Sequence, residues 1–271
     1  ALHCPPLVLF SLITVGYSAN ALGGAGGPLA VLIIAIAASE LGKAVSKETR
    51  VDILVTPLVT IFSGVGLSML IAAPIGAAAS QVGTLIMWAT EQAPLVMGIL
   101  VSVIVGVALT LPISSAAICA ALGLTGLAGG AAVAGCCAQM IGFAVMSYKE
   151  NGVGGLVSQG LGTSMLQMPN ILRNPRTWVP PTLAAAITGP VATCLFHLEM
   201  NGPAVSSGMG TCGLVGQIGV YTGWVESGRV ITAFDWAGLA LVCFILPAVL
   251  SVLFCELLRK KGWIKEGDLK L

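Results

Sequence analysis

Seven stretches of about twenty mostly apolar residues recur along this 271-residue chain, near residues 5 to 22, 27 to 45, 53 to 75, 94 to 112, 126 to 148, 178 to 196 and 235 to 257. A run of that length spans the ~30 Å hydrocarbon layer of a bilayer when coiled as an α-helix. Backbone in lipid must satisfy its own amides, which leaves helices and closed barrels. Unbroken apolar runs, rather than alternating ones, select helices. The sequence therefore predicts an all-α integral membrane protein, a polytopic helical bundle. Its 8% of charged residues, against roughly 25% in a soluble domain, supports the same reading. The 35 glycines suit helices that pack through small residues, since lipid gives apolar side chains no preference for one another.

Two places break the pattern. Residues 113 to 125 are apolar but too short to cross, and Pro112, Ser114 and Ser115 open them. Residues 197 to 217 hold an imidazole, a carboxylate, amides and five glycines inside an oily chain. Non-helical backbone at membrane depth is tolerated where protein buries it or a water-filled cavity satisfies it, as in the broken helices of transporters. Both places are expected to be re-entrant hairpins, the second returning by about residue 226 and carrying Pro203, Gly208 and Gly210 at its turns. Residues 76 to 92 are too polar for a confident span and read as an interfacial helix with Trp88 at the headgroup level.

Basic residues gather at Lys43, Lys47 and Arg50, at Lys149, Arg173 and Arg176, and at Arg259, Lys260, Lys261 and Lys265. Excess positive charge marks cytoplasmic loops. The expected layout is one membrane domain over residues 1 to 258 and a cytoplasmic tail over 259 to 271. The first residues are Ala-Leu-His-Cys-Pro-Pro, with no initiating Met and no basic signal-peptide region, so an N-terminally truncated chain is expected. Eight cysteines lie without metal-ligand spacing and read as buried free thiols. The net charge of +1 and the lack of a basic patch with interleaved aromatics argue against nucleic acid as a partner.

Ionisable and amide side chains inside a membrane are costly, so each is a candidate for function. His197, Glu199 and Asn201 form one set; two residues apart, His197 and Glu199 face different ways on a helix but share a side of an extended segment. Glu150, Asn151, Gln167 and Asn170 form a second, with the donors and acceptors that suit a polyhydroxylated ligand. The alternative for the second set is a cytoplasmic loop. No nucleophile-and-base framework, phosphate loop, dinucleotide fingerprint or metal-ligand helix occurs in the sequence, and no cofactor is expected.

The blocks LTLPISSAAICAALGLTGLAGGAA, NPRTWVPPTLAAAITGP and EMNGPAVSSGMGTCGLVGQIG resemble the phosphotransferase-system enzyme IIC type 2 family, which includes perfringolysin-regulator-like membrane proteins. The resemblance runs over about residues 25 to 225. It implies a dimeric fold in the bacterial inner membrane with two re-entrant hairpins around a midplane sugar site. It also implies separate IIB and IIA proteins as the source of phosphate, since neither is encoded here. Transporting relatives contact the sugar through a His and a Glu in a Glu-Pro hairpin, and Glu199-Met200-Asn201-Gly202-Pro203 stands where that hairpin is sought. Three functions follow as expectations: a translocation subunit working by alternating access, a membrane sensor that kept the fold without transport, and an ion-coupled transporter using Glu199.

Overall fold

The computed structural model describes residues 4–24, 27–48, 51–111 and 114–271, so Arg50 and Pro112 of the candidate positions lie outside the described residues. The main helices are α1 (Pro6–Gly23), α2 (Gly27–Val45), α3 (Asp52–Gln92), α4 (Pro94–Thr110), α5 (Ser115–Leu122), α6 (Gly126–Met146), α7 (Tyr148–Val157), α8 (Met168–Arg173), α9 (Pro175–Leu195), α10 (Val215–Glu226) and α11 (Ala233–Lys260). Each of the seven apolar stretches lies on a helix. Among the described residues, α1, α3, α6, α9 and α11 are long and apolar enough to cross a bilayer, while α4 has 17 residues. The protein is an all-α, multi-pass membrane protein.

One expectation is corrected. Residues 76 to 92 are not a separate interfacial helix but continue α3, whose 41 residues extend about 60 Å at the α-helical rise. Nothing in the sequence forces a stop at residue 76. Pro74, which deletes one amide bond and crowds the carbonyl four residues earlier, is absorbed by a π turn at Ser68–Ala72. Pro247 on α11 follows a π turn at Leu241–Ile245 in the same way. In both, the wider turn falls where the proline ring would meet the preceding coil.

The chain divides into two compact units, residues 1–84 with 120–123, and residues 85–119 with 124–271. In the first, α1 and α2 pack with the early part of α3 around Val15, Ala19, Ala30, Ile34, Ala38 and Ala72. Gly64 lets Val15 in; a Cβ there would stand 2.3 Å from a Val15 methyl.

In the second unit α6 is the axis. Seventeen of its residues are buried, and α4, α9 and α11 pack around it. Gly and Ala allow this, since a Cβ on Gly135 would come within 1.9 Å of the Ser102 carbonyl oxygen and one on Gly189 within 2.3 Å of that of Gly98. Close backbone approach replaces side-chain interdigitation as the packing mode. Ile104, Val249 and Leu253, on the outer helices, are more than half exposed, as lipid-facing residues should be.

Candidate functional site

The segment between α9 and α10 is irregular and buried from behind. A π turn at Val191–Leu195 ends α9, and the Leu198 amide donates back to the Ala192 carbonyl at 2.8 Å. His197 takes a left-handed conformation with φ 44°, which turns the chain. Burial then alternates: His197 exposed, Leu198 buried, Glu199 half-buried, Met200 buried, Asn201 exposed. A period of two puts alternate residues on one side, so His197, Glu199 and Asn201 face away from the core that Leu198 and Met200 enter with Val133, Val220 and Trp224. The Asn201 amide donates to the Glu199 carboxylate at 3.0 Å.

Backbone-to-backbone contact holds this segment in place. Met200 and Gly126 exchange both amide-to-carbonyl bonds at 3.0 Å, an isolated antiparallel bridge. The first turn of α6 accepts the segment because a Cβ on Gly130 would lie 1.6 Å from the Leu198 carbonyl oxygen. On the other flank Gly202 sits against Gly219, and Gly223 against Asn201.

The two expected hairpins meet in the second unit. Ser115 donates to the Gly208 carbonyl at 2.7 Å, and Ser207 donates to the Leu124 carbonyl at 2.6 Å. Ser114 instead caps α5, its hydroxyl accepting from the Ala117 amide. Gly210, with φ 53°, lies against Cys136 where a Cβ would stand 2.7 Å from that residue's own Cβ. Its carbonyl accepts from the Gly216 amide. Pro203 is exposed and begins the short 3-10 turn at Ala204–Gly208. Thr211 reaches across to the Gly160 carbonyl.

Two polar atoms near this segment are buried without a hydrogen-bond partner among the described residues: Gln217 Oε1 and Trp224 Nε1. Gln217 is 8% exposed and spends its amide nitrogen on the Cys137 sulfur at 3.2 Å. Orphaned buried groups are rare and call for an explanation. Sequence reading placed Gln217 inside the unusual segment without singling it out, and Trp224 carried no signal at all.

The second candidate set is brought together elsewhere in the same unit, with a different partner. Asn151, Gln167 and Asn170 donate to main-chain carbonyls of Leu269 and Lys270, and Glu150 accepts from the Leu269 amide. The hydrogen-bonding capacity that suggested a sugar is taken up by residues 269–271 of the chain itself. The second and third basic clusters also meet here: Arg259 pairs with Glu150 at 2.7 Å, Lys149 with Glu256 at 3.1 Å, and Arg176 stacks on Trp263. A shallow groove lined by Val145, Ala248, Val249, Val252, Leu253 and Glu256 offers a polar solute only one hydrogen-bonding side chain. No group of three metal-ligating side chains occurs among the described residues.

The family model described as "Phosphotransferase system, EIIC" matches residues 1–271, the whole chain. The chain belongs to the phosphotransferase-system EIIC family. The match extends beyond the blocks between residues 25 and 225 that carry the resemblance in the sequence. Among curated proteins and among solved structures, none matches the chain. EIIC membership makes this, in general terms, a membrane subunit of a sugar-transport system that works with IIA and IIB proteins.

Proposed function

We propose that this EIIC chain binds a sugar or closely similar polar solute at His197, Glu199 and Asn201, and carries it across the membrane by alternating access. One observation carries the reading. A carboxylate, an amide and an imidazole share one side of an irregular segment that is buried from behind within an apolar bundle. A neutral polyol needs paired donors and acceptors on a dry, fixed support, and that is what an interrupted helix offers.

The solute is phosphorylated by a separate IIB protein as it is released, and this chain supplies position rather than phosphate. The segments at 112–125 and 197–226 are the proposed re-entrant pair: α5 has 8 residues, about 12 Å of helix against a ~30 Å layer. The assembly proposed is a homodimer in the bacterial plasma membrane, with the basic end built by residues 147–178 and 256–271 on the cytoplasmic side.

A thermal-shift screen of the purified protein against sugars, sugar acids and polyols tests the site. A ligand present at about 100 times its Kd stabilises the folded state by about 2.7 kcal/mol. Glu199→Gln should leave the apo transition within about 0.5 kcal/mol of the parent, as expected of a partly exposed residue, and should remove the ligand-induced shift. An undiminished shift in Glu199→Gln would refute the assignment. Sugar binding without uptake in vesicles supplied with IIA and IIB would identify a sensor instead.

A further inference from the structure

The last residues of the chain fill a groove built to hold main chain. Leu269 donates its amide to Glu150 Oε2 at 2.9 Å, and its carbonyl accepts from Asn151 Nδ2 at 2.7 Å and Gln167 Nε2 at 3.0 Å. The Lys270 carbonyl accepts from Asn170 Nδ2 at 2.9 Å, and the Leu271 amide donates to Asn151 Oδ1 at 2.8 Å. Asn151 thus brackets one residue with both ends of its amide.

The groove side chains are aimed by one another. Ser147 and the Gly155 carbonyl accept from Gln159 Nε2, Gln159 Oε1 accepts from Gln167 Nε2, and Gln167 Oε1 accepts from Asn170 Nδ2. Arg259 fixes the other oxygen of Glu150. Beneath lies an apolar pocket in which Leu269 is fully buried, with Phe143, Met146, Ile171, Cys255 and Ile264. Lys270 and Leu271 point outward and are exposed.

This arrangement reads a peptide by its main chain and by one leucine-sized side chain, and the remaining side chains are free to vary. Withdrawing the segment would take one of two acceptors from each of the buried amides of Gln167 and Asn170, which would keep only their bonds to Gln159 and Gln167, and each unmet buried polar group costs about 1–3 kcal/mol. The groove therefore calls for an occupant, and any polypeptide with the same main-chain pattern supplies one. Residues 261–271 form turns but no helix or strand of their own, so little secondary structure holds them in place.

We propose that this is a peptide-recognition groove which the chain keeps filled with its own residues 269–271, as a displaceable strap, and that its ligand class is a short protein segment with a leucine anchor. While the strap is in place, Glu150, Asn151, Gln167 and Asn170 are closed to any other partner.

The test uses the full chain and a fluorescent peptide with the sequence of residues 263–271. Leu269→Asp in the chain expels the strap from its apolar pocket and leaves the groove residues intact. Because a closed strap weakens apparent affinity by the fraction of open chains, the peptide should bind Leu269→Asp at least about tenfold tighter than the parent. Adding Asn151→Ala, or placing Asp at the Leu269 position of the peptide, should abolish the gain. Equal affinity for the parent and a folded Leu269→Asp chain overturns the proposal, and so does loss of helical circular dichroism in Leu269→Asp. Hydrogen exchange of the unaltered chain decides independently: the Leu269 and Leu271 amides should exchange faster than those of α6, and protection equal to α6 would make the segment a fixed part of the fold.

Discussion

Gln217 carries an acceptor buried with no partner among the described residues, beside a donor held by a cysteine sulfur. An unmet buried carbonyl costs about 1–3 kcal/mol and a weak sulfur bond recovers little of it. Gln217→Met keeps the volume and removes both polar ends, so the apo protein should melt no lower than the parent. A clearly lowered apo transition would show that the amide contributes more to the folded state than its unmet carbonyl costs. The gathering of His197, Glu199 and Asn201 on one side was legible in the sequence because glycines and Asn-Gly-Pro preclude a helix there. The partners of Asn151, Gln167 and Asn170 were not, because a side-chain amide is as well satisfied by a sugar hydroxyl as by a carbonyl a hundred or more positions along the chain.

At the level of elements, glycines decide which helices touch. A single methyl at Gly130 would meet the Leu198 carbonyl at 1.6 Å and push the His197–Asn201 segment off α6. Gly130→Ala is expected to cost about 1–3 kcal/mol, in the range of overpacked cores, read as a lowered thermal transition together with weakened ligand response. Gly66, inside α3, has nothing within 4 Å of its would-be Cβ. Gly66→Ala should therefore be neutral or stabilise by up to about 1 kcal/mol, since alanine restricts the unfolded chain. Equal effects of the two substitutions would remove close packing as the explanation. The apolar runs announced every long helix. They did not announce the continuity of α3 beyond residue 75, because falling hydropathy marks where a solvent changes, and a helix has no need to stop there.

Across the whole molecule, charge is distributed unevenly. Residues 147–178 and 256–271 hold eight of the 12 Lys and Arg but four of the 11 Asp and Glu, giving that end +4 in a chain of net +1. Retention of positive charge in the cytoplasm predicts which side it occupies. In intact cells, a thiol introduced by Leu271→Cys should resist an impermeant maleimide until the membrane is opened. Thiols from Leu111→Cys and Thr125→Cys, read against the parent chain, should behave like each other, as the two ends of a segment that returns to its own side. Opposite labelling of that pair would make residues 112–125 a crossing. The two segments are tied by the Gly126–Met200 bridge and by two serine-to-carbonyl bonds. The alternating access proposed above would have to carry them together or break those bonds.

Among the described residues four π turns, at Ser68–Ala72, Ser158–Gly162, Val191–Leu195 and Leu241–Ile245, each use one residue more per hydrogen-bonded loop than an α turn. Each therefore holds one residue more than the α-helical count at that point. Deleting one residue from Val191–Leu195 would let α9 close as ordinary helix and would swing whatever follows by about 100° around its axis. The side presented by His197, Glu199 and Asn201 would turn with it. The facing of the His197–Asn201 segment is thus set by residue count as well as residue type, and a one-residue deletion probes what substitution scanning never samples.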